Sequence, residues 1–106
     1  MAMKNLLANC VGFQWDEGNS DKNWIRHHVS KSECEEVFFN RPIITRQDPK
    51  HSTEIENSYY ILGRTDSDRF LFIAFTIRGQ LIRVISARDM NDKERRRYHE
   101  QIKRHS

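Results

Sequence analysis

Three apolar runs lie between residues 59 and 88, separated by very short polar connections, and this spacing restricts the fold more than any other feature of the chain. Residues 59–64, 70–78 and 81–88 are rich in β-branched and aromatic side chains, which suit a pleated, half-buried surface. Thr65-Asp66-Ser67-Asp68-Arg69 joins the first pair and Arg78-Gly79-Gln80 the second. A parallel crossover needs a dozen or more residues, so connections this short force antiparallel neighbours. The tract is expected to form an antiparallel β-sheet meander.

The flanking elements follow from caps and periodicity. Residues 11–15 read as a short strand, and Asp16 offers an N-cap to a helix over about 17–27. Gly18, Asn19, Ser20 and Asp21 are poor helix formers, so packing must hold that helix. Ser30-Lys31-Ser32-Glu33 has capping-box spacing, and Cys34, Val37 and Phe38 follow at i, i+3, i+4, which predicts a second helix ending before Pro42. Residues 43–46 read as a strand and 47–54 as a polar loop turning at Asp48-Pro49. After the meander, Asn91 and Glu94 repeat the capping spacing and open a helix to about Arg104, anchored by Tyr98 and Ile102. The expected architecture is α+β, with two N-terminal helices and one C-terminal helix packed against the meander. A length of 106 residues suits one domain, 1–106, and one site.

Charge is distributed unevenly along this frame. Residues 1–63 hold 7 Lys/Arg against 9 Asp/Glu and residues 64–106 hold 11 against 6, so the halves carry −2 and +5. An anionic partner is therefore expected at the second half. The opening MAMKNLLANC has no long apolar core of a signal peptide, and no apolar run approaches the roughly 20 residues that span a bilayer. Cys10 and Cys34 are read as free thiols in a reducing cytoplasm, without membrane association.

In an antiparallel meander Arg64 and Arg88 close strands at the same end of the sheet, whereas Arg78 closes one beside the turn at the other. Arginine forks at a strand end, next to the helix N-terminus at Asn91, are suited to phosphate. The alternative is a surface ion pair of Arg88 with Asp89, Asp92 or Glu56. If RNA is bound there, no metal is required, because the ribose 2′-hydroxyl can attack its own phosphate given a base, a charge stabiliser and a proton donor. The acid–base groups available are His27, His28, His99, Glu56 and Tyr98. No G-x-S-x-G, P-loop, H-E-x-x-H or paired C-x-x-C motif occurs, so neither a metal nor a nucleotide cofactor is expected.

The segments FQWD (13–16), NWIRHHVS (23–30), EEVFF (35–39), ILGRT (61–65), FLFIAFTIRG (70–79) and RVISARDMNDKERRRY (83–98) resemble, in order and spacing, the BrnT-like toxins of bacterial type II toxin–antitoxin pairs. The resemblance implies a RelE-like fold and a metal-independent endoribonuclease that cleaves RNA and halts translation. It also implies a cognate BrnA-like antitoxin with a ribbon-helix-helix part, through which the complex binds operator DNA. Carried over by position, Arg64 and Arg88 hold the scissile phosphate and Arg78, Arg83, Arg95, Arg96, Arg97 and Tyr98 bind RNA; His27, which also matches, or Glu56, one of the acid–base groups above, is the expected base. His28 stands where relatives commonly have Gly, a left-handed helix-ending position, and Ser58 where many have Arg; Ile25 replaces a commonly polar residue. A non-catalytic RNA-binding or protein-binding module of the same fold is the alternative from a different functional class.

Overall fold

The computed structural model describes residues 7–16, 21–22, 24, 26–48 and 57–105. Five strands form one sheet: β1 (Gly12–Gln14), β2 (Ile44–Gln47), β3 (Ser58–Arg64), β4 (Phe70–Arg78) and β5 (Leu81–Asp89). The helices bounded among these residues are α1 (Lys31–Phe39) and α2 (Asp92–His105). The strand order is β1-β5-β4-β3-β2. β2 to β5 are antiparallel neighbours, as the short connections require.

Two expectations are corrected. The sheet is mixed, because β1 joins the β5 edge in parallel, Phe13 opposite Ile82. The long connection from β1 to β5 leaves the strand direction free, and on this edge the half-buried Phe13 ring meets Phe38 and Phe39 of α1. Among the described residues there are also two bounded helices rather than three. The helix expected over about 17–27 falls partly outside the described residues, although Asp21, Lys22, Trp24, Arg26 and His27 are helical. His28 closes that stretch, donating its N–H to the Trp24 carbonyl at 2.9 Å, with φ +53°. That is the left-handed conformation expected where relatives carry glycine.

Adjacent strand residues point to opposite faces, so Ile61 and Leu62 belong to two different cores. On one face Cys34, Val37 and Phe38 of α1 pack with Ile61, Leu71, Ile73, Phe75, Val84 and Ala87. On the other, Leu62 and Ile44 meet Met90 and Tyr98, flanked by Tyr60, Phe70, Phe72 and Ile102. The two helices thus cover opposite faces of the sheet. α1 begins with the expected capping box: Ser30 Oγ accepts from Glu33 N–H and Glu33 accepts from Ser30 N–H. It lies so close to β3 that a Cβ added at Gly63 would stand 2.7 Å from Val37 Cγ1.

α2 is anchored as its two apolar residues predict. Tyr98 is fully buried, and its hydroxyl donates to the Pro42 carbonyl at 2.6 Å. Burial raises the phenol above its ordinary value, so this donor stays protonated. Among the described residues no helix is long and apolar enough to cross a membrane.

Candidate functional site

β4 and β5 slip register between Ala74 and Phe75, where Ala74 pairs with Ser86 and Phe75 with Val84. The extra residue, Ile85, is a β-bulge, a device that bends a strand and re-aims its side chains. Beyond it, β5 presents Ser86 and Arg88 on the face that α2 covers only in part. The uncovered part is a concavity of about 660 Å³ lined by Tyr60, Phe72, Ala74, Ile85, Ser86 and Arg88 from the sheet, by the cap residue Asn91, by Lys93, Glu94 and Arg97 from α2, and by Asp48 after β2.

Its floor is aromatic. The rings of Tyr60 and Phe72, neighbours across β3 and β4, stack at 5.3 Å with 22° between planes. The Arg88 guanidinium lies over the Phe72 ring at 4.1 Å, in range for a cation–π contact that also fixes its plane. Arg97 donates to the Tyr60 hydroxyl at 2.8 Å. Three cations, Arg88, Lys93 and Arg97, thus line a depression that also holds the carboxylates of Asp48 and Glu94.

Glu94 joins the helix cap to this charge cluster. Its backbone N–H donates to Asn91 Oδ1 at 2.8 Å, and its carboxylate accepts from Asn91 N–H at 2.9 Å, closing the second capping box. The same carboxylate takes both terminal nitrogens of Arg88, at 2.8 and 3.0 Å. Burial acts to raise the Glu94 carboxyl, but the Arg88 fork, the Asn91 N–H and the charges of Arg88 and Arg97 outweigh it and hold the group below the ordinary carboxylate value. Arg88 is thereby paired on the surface, as the simpler reading of the sequence required, with Glu94 and the Asp89 carbonyl, while the Asp89 carboxylate is taken by Arg69.

The other sequence-selected residues are dispersed. Arg64 stands at the same sheet end as Arg88, since Arg64 pairs with Phe70 and Arg88 with Phe72. Its side chain turns away from the concavity, donating to the Arg41 carbonyl at 3.1 Å and pairing with Asp68 at 3.5 Å. His27 is exposed, and its carbonyl accepts from Arg69 at 2.9 Å. Asp89 follows Arg88 in the strand and therefore serves the opposite face. Glu56 lies outside the described residues. Arg78 closes β4 at the far end, beside the turn. Arg83 pairs with Asp16 at 3.2 Å, and Arg95 and Arg96 are exposed on α2. Tyr98 belongs to the core rather than to an RNA-facing surface. His99 is tied to the Arg95 carbonyl at 2.7 Å.

Sequence reasoning missed Tyr60, Phe72, Lys93 and Glu94 as members of one site. The sequence carried no signal for their grouping: the short β4–β5 turn pairs Arg78 with Leu81 and by itself would set Phe72 opposite Ala87, and only the bulge at Ile85 brings Phe72 opposite Arg88. Arg69 was also overlooked. It binds Asp89 through Nε and Nη2 at 2.8 and 3.2 Å, pairs with Glu33 at 3.1 Å, and donates to the carbonyls of His27 and His28 at 2.9 and 2.8 Å. It is a structural tie between the segment 26–28, α1 and the sheet. Among the described residues no three His, Cys, Asp or Glu side chains are grouped so as to hold a metal ion.

Comparison with known proteins bears on the same segments. Residues 15–94 match the family model described as the ribonuclease toxin BrnT of type II toxin–antitoxin systems. The crystal structure of the Brucella abortus ribonuclease toxin BrnT superposes with a TM-score of 0.57 at 18% identity, covering 77% of this chain and 99% of that one. No curated protein matches the chain. At that identity the structural likeness establishes the fold, and the family match carries the assignment.

Proposed function

Because the chain belongs to the BrnT family of ribonuclease toxins of type II toxin–antitoxin systems, we propose that the concavity between the sheet and α2 binds the RNA backbone and that Arg88 holds the scissile phosphate. The observation that carries this reading is the seat of Arg88: its guanidinium lies 4.1 Å above Phe72, in a depression that Lys93 and Arg97 also line. A guanidinium held by an aromatic face loses little rotamer freedom when it meets a planar pair of phosphate oxygens. Lys93 and Arg97 engage flanking phosphates, and the Tyr60 ring offers a surface on which a base can stack. Phosphate contacts of this kind hold a strand without reading its sequence.

The reaction is transesterification within RNA. The 2′-oxygen attacks the adjacent phosphorus, the P–O5′ bond breaks, and the products are a 2′,3′-cyclic phosphate and a 5′-hydroxyl. Arg88 neutralises charge as it grows on the phosphoryl oxygens. This chemistry needs no metal, and RNA cleavage in the cytoplasm arrests translation. The family is defined by a toxin–antitoxin pair, and the partner proposed here is a BrnA-like ribbon-helix-helix antitoxin that covers the basic half and carries the complex to operator DNA.

Inducible expression in bacteria, with primer extension to map transcript ends, tests the proposal. Wild-type protein is expected to arrest growth and generate new 5′ ends, with both effects lost in Arg88→Ala and suppressed by co-expression of the antitoxin. Arrest by Arg88→Ala at the wild-type level contradicts it.

A further inference from the structure

We propose that Glu94 is the group the substrate displaces: its carboxylate fills the donor fork of Arg88 in place of a phosphate, and once expelled it accepts the 2′-hydroxyl proton of the bound RNA. This inference rests on the reading of the concavity as an RNA site.

A carboxylate and a phosphate present the same pair of coplanar oxygens to an arginine fork. Glu94 already takes both terminal nitrogens of Arg88, at 2.8 and 3.0 Å, while Phe72 covers the guanidinium face. A phosphate approaching that end of Arg88 must replace the carboxylate. The pair is open enough to yield, with the Arg88 side chain 36% and Glu94 18% exposed, and an ion pair in contact with water is weak. The incoming strand brings further phosphates for Lys93 and Arg97, which the carboxylate cannot engage. Glu94 does not leave the site when displaced, because Asn91 N–H still holds one of its oxygens at 2.9 Å.

The exchange alters the proton affinity of the carboxylate. In the free protein it pairs with Arg88 on β5 and shares the concavity with Lys93 and Arg97 on α2, Asp48 after β2 and Tyr60 on β3, whose hydroxyl accepts from Arg97. Arg88 keeps it a weak base. With RNA bound, a phosphate anion takes the carboxylate's place on Arg88 and stands beside Glu94, and proton uptake becomes easier. As the 2′-O–P bond forms and P–O5′ breaks, the 2′-hydroxyl proton passes to Glu94. The departing 5′-oxygen takes a proton from water, and Glu94 later returns its own to solvent. The base is thus inactive until a phosphodiester occupies Arg88.

Glu94→Gln is the informative variant, because glutamine at the third helical position preserves the capping box while removing the charge. Affinity is read by fluorescence anisotropy on a non-cleavable 2′-O-methyl oligoribonucleotide, and single-turnover cleavage is followed against pH on the matching RNA. Glu94→Gln is expected to bind about three- to tenfold more tightly than wild type, with the gain absent in an Arg88→Ala background. Its cleavage rate is expected to fall at least about a hundredfold and to lose its acidic limb. Glu94→Asp, which keeps the charge on a shorter arm, is expected to restore part of the pH-dependent cleavage, and it serves as the test if the amide variant does not fold. The inference is overturned if Glu94→Gln binds no more tightly, if the gain persists without Arg88, or if either variant keeps the wild-type rate and pH profile. If wild-type protein does not bind the oligoribonucleotide, or binds it equally well without Arg88, the reading of the site itself is overturned instead.

Discussion

Arg88 is held from two sides, by Phe72 beneath its plane and by Glu94 across its fork. Both contacts reach water, so removing the side chain is expected to affect the proposed chemistry more than stability. Arg88→Ala is expected to abolish RNA cleavage while lowering unfolding free energy by about 1 kcal/mol, measured by denaturant titration beside a cleavage assay. Arg64→Ala is expected to keep cleavage within about threefold, because its side chain serves the Arg41 carbonyl and Asp68, a partly exposed pairing. That difference was not legible in the chain. Strand directions place both arginines at one sheet end, but which way each side chain leaves its strand depends on partners distant in sequence. Arg69 belongs to the same scale. Hydrogen bonds from Arg69 hold Asp89 below its ordinary value of 3.8, and the Ser30 and Arg69 bonds outweigh burial to hold Glu33 below 4.5. Folded-state pKa values below the unfolded ones contribute stability that is complete above about pH 5 and is lost as pH falls through the folded values. The melting temperature is therefore expected to fall as the solution is acidified below pH 5, and Arg69→Met should flatten that decline. An unchanged acid profile in the variant contradicts the assignment.

At the scale of elements, local signals served where they were local. Both capping boxes, at Ser30 and Asn91, occur where their spacing indicated, and β4 spans the residues its apolar run marked. The distribution of elements over faces was hidden. Alternating residues such as Ile61 and Leu62 feed two cores, so one apolar run serves two helices, and no pattern within the run says which helix takes which face. The parallel docking of β1 was hidden for a related reason, since its partner lies at the other end of the chain. Gly63 records the closeness of one of these packings. Gly63→Ala would drive a Cβ to 2.7 Å from Val37 Cγ1 and 3.3 Å from its carbonyl, and is expected to destabilise by about 1–3 kcal/mol. Tyr98→Phe removes the hydroxyl that satisfies the Pro42 carbonyl and is expected to cost about 1 kcal/mol. Thermal unfolding of the two variants checks both, and a Gly63→Ala protein as stable as wild type would show that α1 can retreat from β3.

Over the whole molecule, one face of the sheet is closed and the other carries the proposed RNA site. α1 and the Arg69 network close the first; α2 covers the second only in part and leaves Arg88, Lys93 and Arg97 at the edge of a depression. If RNA engages three to five phosphates there, binding should weaken with salt along a log–log slope of about −2 to −4. A ligand of the folded state raises its stability, so the cognate antitoxin is expected to raise the melting temperature, and mixing the two without any shift would contradict the proposed partnership. The most direct measurement takes purified wild-type and Arg88→Ala proteins, both verified as folded, and follows cleavage of a labelled RNA in the presence of EDTA. The account predicts wild-type cleavage that EDTA leaves intact, products ending in 2′,3′-cyclic phosphate, and no cleavage by Arg88→Ala. Undiminished cleavage by Arg88→Ala, or wild-type activity removed by EDTA and restored by a divalent ion, would contradict it.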